Sequence, residues 1–438
     1  MGRAAASGLG LRRACPHVWT AEFAEVAGRG RFFAACALRS PLSIPSASAY
    51  DVVMDRRLEL EIIHRLRQFT ADQTSDADAT HSYISVDEYR DEQRFAADQI
   101  SIFRRSWLIA AHASEIPNAG DYLTVTLFGA SLLLVRGGDG IVRVFQNVCR
   151  HRGARLITGT GCEKALVCPY HGWTYALDGK LAGIPHDWGF ADIDRAAHGL
   201  VQLDSMVANG IIHVRFPECD QPFRRPAQSD IAYFLPDDVR PVCHYDRTIR
   251  ANWKMTVEGS VEGYHIKRTH KDTIYPLFLD NVAIAHRIED DLRVVVAKRT
   301  LRKLDEQDQA SWALREHSNI VYYLAPNGIL LVLGDHVAFF VMDVQSPTCT
   351  RMRSMLLVPR DDEREKYWMA NEGLLRRTLD EDCALYEGIQ AGFSSMVNEH
   401  VTFGRFERGP RLFHEILRDL RQRGTHERDA TPRTFLAT

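Results

Sequence analysis

Two short stretches, CRHRG at 149–153 and CPYHGW at 168–173, decide what kind of protein this sequence encodes. Each places a cysteine two or three residues before a histidine, in a turn that contains glycine. Thiolate and imidazole ligands together suit zinc or an iron–sulfur centre. The two stretches therefore supply four candidate metal ligands: Cys149, His151, Cys168 and His171.

The mixed pairing favours an iron–sulfur cluster over zinc. Two cysteines on one iron and two histidines on the other form the Rieske [2Fe-2S] arrangement, in which neutral imidazoles raise the reduction potential. Zinc fingers instead pair cysteine with cysteine and histidine with histidine. Gly153, Pro169 and Gly172 fit loops, expected at the tips of β-hairpins, whose backbone N–H groups approach cluster sulfides. A structural zinc site and coincidental spacing are the alternatives, and Cys162, which fits neither pair, is interpreted as incidental.

Composition restricts the class of protein. The chain has 438 residues, of which 45% are hydrophobic and 25% charged, with a net charge of −3. These values are typical of a globular protein with two or three domains and give no reason to expect a nucleic-acid partner. No run approaches the roughly 18 apolar residues that predict a membrane span. Nine irregularly spaced cysteines do not resemble a secreted disulfide framework, so we expect a reducing, cytoplasmic location.

The first 53 residues differ from the rest of the chain. They contain six arginines, no lysine and only three acidic residues, a composition that resembles an organelle transit peptide. The alternatives are a disordered tail, or upstream sequence ahead of a true start at Met54, which opens the amphipathic run MDRRLELEIIHRLRQF. We expect the cytoplasmic location and treat the transit peptide as the alternative. The predicted organisation is a poorly structured extension at 1–53, N-terminal helices at 54–104, an all-β domain at 105–217, a catalytic domain at 218–425 and a tail at 426–438.

A second motif, NWKMTVEGSVEGYHIKRTH, occupies residues 252–270. On a continuous helix Glu258, Glu262 and His265 would share one face, and His270 would follow after the helix bends or ends. Two histidines and one carboxylate form the facial triad of non-haem Fe(II) oxygenases. A surface helix with scattered charges is the alternative, and the cluster motif in the same chain favours the iron site.

The motifs CRHRGARL and CPYHGWTY resemble the cluster loops of the α subunits of Rieske non-haem iron oxygenases, the aromatic ring-hydroxylating dioxygenase family. Respiratory Rieske proteins add a cysteine to each loop, whereas this chain has Ala154 and Tyr170 there. The resemblance covers roughly residues 85–420. It implies an α+β protein, with an all-β Rieske [2Fe-2S] domain and an α+β helix-grip (START-like) catalytic domain around a central antiparallel sheet.

The same resemblance assigns roles to residues of the second motif. His265 and His270 match the family's iron ligands, and Glu262 matches the residue that bridges the iron site to the cluster of a neighbouring subunit. The third ligand is expected in LDEDCALYEGIQAG at 379–392, where Asp382 takes the ligand position and Glu381 is the alternative. Glu262 departs from the Asp of many aromatic dioxygenases and is familiar in relatives that oxidise quaternary amines.

The resemblance implies a terminal oxygenase that uses O₂ and electrons from NAD(P)H, delivered by a separate reductase and an optional ferredoxin. Its cofactors would be a [2Fe-2S] cluster and a mononuclear Fe²⁺, and its assembly a homotrimer, with or without a β subunit. Aromatic ring hydroxylation is the expected reaction, and oxidation or N-demethylation of a choline-, betaine- or carnitine-like quaternary amine is the alternative. An electron-transfer Rieske protein without catalytic iron is the alternative of another class. We expect the substrate pocket to be walled by the strands within 321–334 and 336–344, where Tyr and Trp rings could cage an ammonium group.

Overall fold

The computed structural model describes residues 55–223, 229–235 and 238–426. The predicted extension at 1–53 and nearly all of the predicted tail at 426–438 lie outside these ranges. Domain boundaries therefore stay predictions, while the elements that position the functional residues can be described directly.

The N-terminal helix that we expect after Met54 is present. Helix α1 spans Arg56–Asp72, and the side chain of Asp55 caps it by accepting a hydrogen bond from the Arg57 N–H at 2.9 Å. Its apolar face is buried against the rest of the chain. The next elements are β1 (Ser82–Ser85), α2 (Asp87–Arg90), α3 (Glu92–Asp98) and a π-helical turn (Gln99–Phe103).

Two antiparallel sheets follow and carry the cysteine–histidine loops. The larger has seven strands in the order β2-β11-β10-β5-β4-β3-β6, and the smaller has the order β7-β8-β9. Their strands are β2 (Leu108–His112), β3 (Asp121–Leu127), β4 (Ala130–Arg136), β5 (Val142–Gln146), β6 (Thr160–Cys162), β7 (Leu166–Val167), β8 (Thr174–Tyr175), β9 (Leu181–Gly183), β10 (Gln202–Ala208) and β11 (Ile211–Arg215).

One expectation about these loops is wrong. The second loop does lie at a hairpin tip, because β7 pairs directly with β8. The first loop instead connects β5 to β6, which pair with β4 and β3 respectively and are not neighbours in the sheet. The chain therefore crosses from one strand to a distant one through the loop. Local sequence does not reveal this, because pairing depends on long-range register.

The catalytic part is built on a second seven-stranded antiparallel sheet, in the order β12-β18-β17-β16-β15-β14-β13. This arrangement confirms the expected α+β class. Its elements are α4 (Ser229–Phe234), β12 (Val239–Ile249), α5 (Trp253–Ser260), α6 (Ile266–Thr269), β13 (Phe278–Ile288), β14 (Asp291–Lys298), α7 (Leu314–His317), β15 (Ser318–Leu324), β16 (Gly328–Val332), β17 (Val337–Ser346), β18 (Cys349–Pro359), α8 (Glu365–Phe393), β19 (His400–Phe403) and α9 (Arg408–His426).

Two long helices cover this sheet, as the helix-grip expectation requires. Helix α8 lies beside β12, and its Trp368 and Cys383 are fully buried. Helix α9 packs on α5 and β14 through Phe413, Ile416 and Leu417, each fully buried. The helices thus bury one face of the sheet and bring the late acidic segment toward the second motif.

A buried side chain ties the two sheet systems together. The Asn327 carboxamide accepts a hydrogen bond from the Ile109 N–H at 2.9 Å and donates to the Ile109 carbonyl at 2.9 Å. It also donates to the Met342 carbonyl at 3.2 Å. Because a buried amide is costly unless paired, these bonds favour one relative placement of β2 and the catalytic sheet. None of the described helices is both long and apolar enough to cross a membrane.

Candidate functional site

The two cysteine–histidine loops have the same backbone hydrogen bonding. In the first loop the Cys149 N–H donates to the Ala154 carbonyl at 2.8 Å, and the Gly153 N–H donates to the Cys149 carbonyl at 3.0 Å. In the second loop the Cys168 N–H donates to the Trp173 carbonyl at 2.8 Å, and the Gly172 N–H donates to the Cys168 carbonyl at 3.0 Å. Both glycines have positive φ, which a side chain would strain.

The loops place the cysteines inside and the histidines outside. Cys149 and Cys168 are each 2% exposed, whereas His171 is exposed and His151 is half-buried. The two imidazole rings are 4.7 Å apart between centroids, and the His151 ring stacks on buried Trp173 at 4.8 Å. Burial, with the neighbouring His171 and Arg152, lowers the pKa of His151 and so favours its neutral, ligating form.

The donor set fits a [2Fe-2S] cluster. Burial, together with the neighbouring Cys149 thiol, raises the pKa of Cys168, so two thiolates here need a cationic partner between them. Cys149 and Cys168 belong to one buried cluster, and the rings of His151 and His171 lie next to each other. Thiolates on one side and neutral imidazoles on the other suit the Rieske arrangement.

Tyr175 is a functional neighbour that the sequence analysis misses. Its hydroxyl lies 3.3 Å from the Cys149 sulfur and accepts a hydrogen bond from the Arg150 N–H at 2.9 Å. The residue is fully buried at the end of β8. Its position in CPYHGWTY was the available signal, but its reach to the other loop depends on how the loops pack together.

The second motif brings the predicted iron ligands together. One ligand atom from each of His265, His270 and Asp382 lies within 4.8 Å of the others. The Asp382 Oδ1 atom lies 3.0 Å from Nε2 of His270 and 3.7 Å from Nε2 of His265. Two imidazole nitrogens therefore converge on one carboxylate across 112 residues of chain, in the geometry that a facial triad requires.

Two further carboxylates bond the imidazoles at Nδ1, the ring nitrogen that does not face Asp382. Glu381 accepts hydrogen bonds from Nδ1 of His270 and from the Thr273 hydroxyl, each at 2.7 Å. Glu262 bonds Nδ1 of His265 in the same way. Burial alone would lower the pKa of His265, but Glu262 and Asp382 outweigh burial and raise it. Three carboxylates around two imidazoles fit a divalent cation, with each Nε2 free to ligate.

The helix expected through this motif is broken, which corrects one expectation. Helix α5 ends at Ser260 and α6 begins at Ile266, so Glu258, Glu262 and His265 do not share one helical face. Glu258 points elsewhere, accepting hydrogen bonds from the Tyr89 hydroxyl and the His414 ring at 2.8 Å each. The break places Glu262 in the turn, where its carboxylate accepts from backbone N–H groups and from His265.

Close packing by neighbouring helices holds the broken segment. A Cβ atom on Gly259 would lie 2.0 Å from the Tyr386 hydroxyl of α8, and one on Gly409 would lie 1.8 Å from the Val261 carbonyl. Only glycine allows α8 and α9 to approach this closely. The iron-site turn, residues 261–265 between α5 and α6, is therefore positioned by contacts from both α8 and α9.

A cavity of about 120 Å³ opens beside the three candidate ligands. Its walls are mostly apolar, and its aromatic members are Phe278 and Phe340, so no described Tyr or Trp lines it. Part of the wall comes from the strands that we expected to form it. Val296 of β14 and three residues of α8 also line the cavity and were not predicted: Leu375, Thr378 and Leu379. The four expected ones are Val321, Ile329, Leu331 and Phe340.

Comparisons with protein families match both halves of the chain. Residues 106–191 match the Rieske [2Fe-2S] domain, and residues 236–422 match the catalytic domain of the ring-hydroxylating α subunit. The first range contains all four candidate cluster ligands, and the second contains the three candidate iron ligands.

Several known proteins are similar to this chain in sequence or in structure. The glycine betaine monooxygenase oxygenase subunit of Chromohalobacter salexigens is 31% identical over 391 residues, covering 77% of this chain and 85% of that protein. The carnitine monooxygenase oxygenase subunit of Escherichia coli is 31% identical over 210 residues, covering 45% of this chain and 53% of that protein. A crystal structure of a quaternary ammonium Rieske monooxygenase superposes with a TM-score of 0.69 at 21% identity, covering 79% of this chain and 96% of that one. With matches to a Rieske domain and a ring-hydroxylating catalytic domain, and a relative that is 31% identical over 85% of its length, this chain belongs to the Rieske non-haem iron oxygenases, as a terminal oxygenase subunit with a [2Fe-2S] cluster and a mononuclear iron.

Proposed function

We propose that this oxygenase is a monooxygenase that removes a methyl group from a quaternary ammonium compound. The observation that carries the proposal is the charge distribution around the cavity beside the candidate iron ligands. Glu262 and Asp382 line it, and within the described lining no lysine or arginine does. A trimethylammonium group is a cation with an apolar surface, so it suits apolar walls next to carboxylates.

Three further features support the same substrate class. Phe278 and Phe340 line the cavity, and aromatic rings attract ammonium groups through cation–π contacts. By resemblance, Glu262 would take the bridging position, where Glu is familiar in relatives that oxidise quaternary amines. The relative similar over 85% of its length is a glycine betaine monooxygenase subunit.

The residues would divide the work as follows. His265, His270 and Asp382 would hold Fe²⁺, which when bound supplies the activation of O₂. Glu381 and Glu262 would orient the two imidazoles by accepting hydrogen bonds from their Nδ1–H groups. The apolar walls would exclude water and hold the methyl group beside the three candidate ligands. Cys149, His151, Cys168 and His171 would hold the cluster.

The overall reaction balances as a monooxygenation. One N-methyl group, O₂, two electrons and two protons give an N-hydroxymethyl group and water. The N-hydroxymethyl ammonium then releases formaldehyde and a proton and leaves a tertiary amine. The electrons would come from NAD(P)H through a separate reductase. We also propose the predicted domain ranges, 105–217 and 218–425, and a homotrimeric assembly for the whole enzyme.

Aromatic ring hydroxylation is the second candidate, because Val296, Val321 and Leu331 would pack equally well on a benzenoid ring. The electron-carrier alternative is disfavoured by the convergence of three ligand atoms within 4.8 Å. The test uses the metal-loaded enzyme with a generic reductase, offering quaternary amines and aromatic acids. We expect one formaldehyde per O₂ with at least one quaternary amine. Hydroxylation of aromatic acids with no formaldehyde from any amine would overturn the proposal.

A further inference from the structure

The strand that forms one cavity wall continues to a lysine. Val296 of β14 lines the cavity, and alternate residues of a strand share a face, so Lys298 follows on the same face about 7 Å further along. Lys298 pairs in register with Phe278, which also lines the cavity. The lysine therefore lies immediately past this end of the wall.

This end of the cavity is the one away from Asp382. Lys298 is close enough to His336 for its positive charge to help lower the pKa of that histidine. The His336 ring packs on Trp368, with 5.2 Å between ring centroids. Trp368 lies in the first turn of α8, and Asp382 lies 14 residues later, about 21 Å along the helix axis. Leu375 and Leu379, between them on the same helix, line the cavity.

No acidic residue in the described part of the chain forms an ion pair with Lys298. It is partly buried, yet no hydrogen bond or ion pair joins its ammonium group to any residue in the described part of the chain. Burial, followed by the charge of Arg315, lowers the pKa of Lys298 to about 8. Because a lysine held away from water normally needs a counter-charge, this one indicates a place for an anion.

The groups around Lys298 compensate its positive charge only in part, through the nearby Asp335. Arg315 is a second cation, fixed by hydrogen bonds to the carbonyls of Leu333 at 2.7 Å and His336 at 3.1 Å. The nearby acid, Asp335, is already paired with Arg364 at 2.9 Å and with His336 at 2.9 Å.

Two histidines complete the surroundings of the lysine. Burial lowers the pKa of both His317 and His336, so both are neutral near pH 7 and add no charge. Glu316 is exposed, and its charge raises the pKa of His317 but does not affect the pKa of Lys298. Two fixed cations therefore face one acid that is already occupied.

We propose that Lys298 binds the carboxylate of the substrate at the end of the cavity away from the candidate iron ligands. Resting on the proposed function, this inference makes the substrate a zwitterion, with a trimethylammonium group beside the carboxylates at one end and a carboxylate on Lys298 at the other. Because the two ends of the substrate carry opposite charges, they would fix its orientation, with the trimethylammonium end next to the candidate iron ligands. The spacer between the charges would then decide which trimethylammonio carboxylate fits.

The first test compares charge at fixed shape. Trimethylammonio carboxylates with one to five methylene groups between the charges are offered to the loaded enzyme, beside the matching trimethylammonio alcohols. Lys298→Met keeps length but removes the charge, and we expect kcat/KM for the best carboxylate to fall about 10- to 100-fold, since a hydrogen bond between charged groups is lost. The alcohols should change less than twofold, and Lys298→Arg should retain most activity with carboxylates. Lys366→Met, at an exposed lysine of α8, is the matched control. Equal losses for carboxylates and alcohols would overturn the inference.

The second test needs no turnover and so separates the two proposals. The thermal midpoint of the metal-loaded enzyme is measured with hexanoate, a carboxylate that has no ammonium group. We expect hexanoate to raise the midpoint of the wild type and of Lys366→Met but not of Lys298→Met. That result supports the anion site even if no quaternary amine is oxidised. Amine oxidation that is indifferent to Lys298→Met, with no stabilisation by hexanoate, would refute the anion site and leave the proposed function standing.

Discussion

Glu381 and Asp382 are adjacent in the chain but face different partners. Asp382 meets both Nε2 atoms, whereas Glu381 lies behind His270 and bonds its Nδ1 atom. Two neighbours on one helix differ by about 100° in direction, which is enough to separate a ligand from a positioning residue. An offset of one residue in the assignment would therefore exchange two distinct chemical roles.

Substitutions at this pair give the first prediction. Asp382→Ala should lose the mononuclear iron and all turnover while the [2Fe-2S] spectrum remains, because one of three ligands is removed. Glu381→Gln should keep a ligand set but bind iron about 10- to 100-fold more weakly, since the group that orients His270 is altered. Iron content and activity after dialysis measure both effects. If Asp382→Ala retained iron while Glu381→Ala lost it, the ligand would be Glu381.

Tyr175 provides the second prediction at this scale. Its hydroxyl lies 3.3 Å from the Cys149 sulfur, and hydrogen bonds to cluster sulfurs raise the reduction potential by stabilising the reduced, more negative state. Tyr175→Phe should keep the cluster spectrum and lower its potential in redox titration. Tyr83→Phe, at an exposed tyrosine of β1, is the control and should leave the potential unchanged. Identical potentials for wild type and Tyr175→Phe would contradict this role.

At the scale of elements, the iron-site turn depends on the approach of α9. A Cβ on Gly409 would lie 1.8 Å from the Val261 carbonyl, so Gly409→Ala must push helix and turn apart. We expect the free energy of unfolding to fall by about 1–3 kcal/mol and iron affinity to fall with it. Denaturant unfolding and iron content test this expectation.

The control for that substitution lies on α8. A Cβ on Gly388 would meet no atom within 4 Å, so Gly388→Ala should be neutral or stabilising by up to about 1 kcal/mol. Unchanged stability and iron binding in Gly409→Ala would mean that α9 does not position the turn.

Local spacing predicts some of these elements and not others. The cluster ligands could be predicted because each pair lies within four residues and the donor types are specific to few metals. The break after Ser260 could not be predicted, because the turn is held by Tyr386 and Gly409, each more than 120 residues further along the chain. Asp382 followed only from resemblance to a family, since nothing near it in the sequence indicates iron. Lys298 was missed because it ends a strand whose pattern is that of an ordinary buried β-strand.

At the scale of the whole molecule, the cluster and the iron site must exchange electrons. The exposed His171 lies on the surface of the first domain, and Glu262 lies in a turn beside His265 in the second. A carboxylate that already bonds one imidazole can accept a second hydrogen bond from an imidazole of a neighbouring subunit. A closed ring of identical subunits would repeat this contact at every interface, and a trimer is the simplest such ring.

The last prediction tests that contact. Glu262→Gln keeps the size of the side chain but removes its charge. All proposed ligands stay in place, so both metal sites can be loaded with excess iron, although iron should bind about 10- to 100-fold more weakly, as in Glu381→Gln. We expect electron transfer from the reduced cluster to the iron to slow by orders of magnitude, since the proposed hydrogen bonds from the two histidines to Glu262 would be weakened. Mixing pre-reduced enzyme with O₂ and substrate follows cluster reoxidation within a single turnover. Reoxidation at the wild-type rate in Glu262→Gln would exclude the bridge, and a fully active monomer by native mass would exclude transfer between subunits.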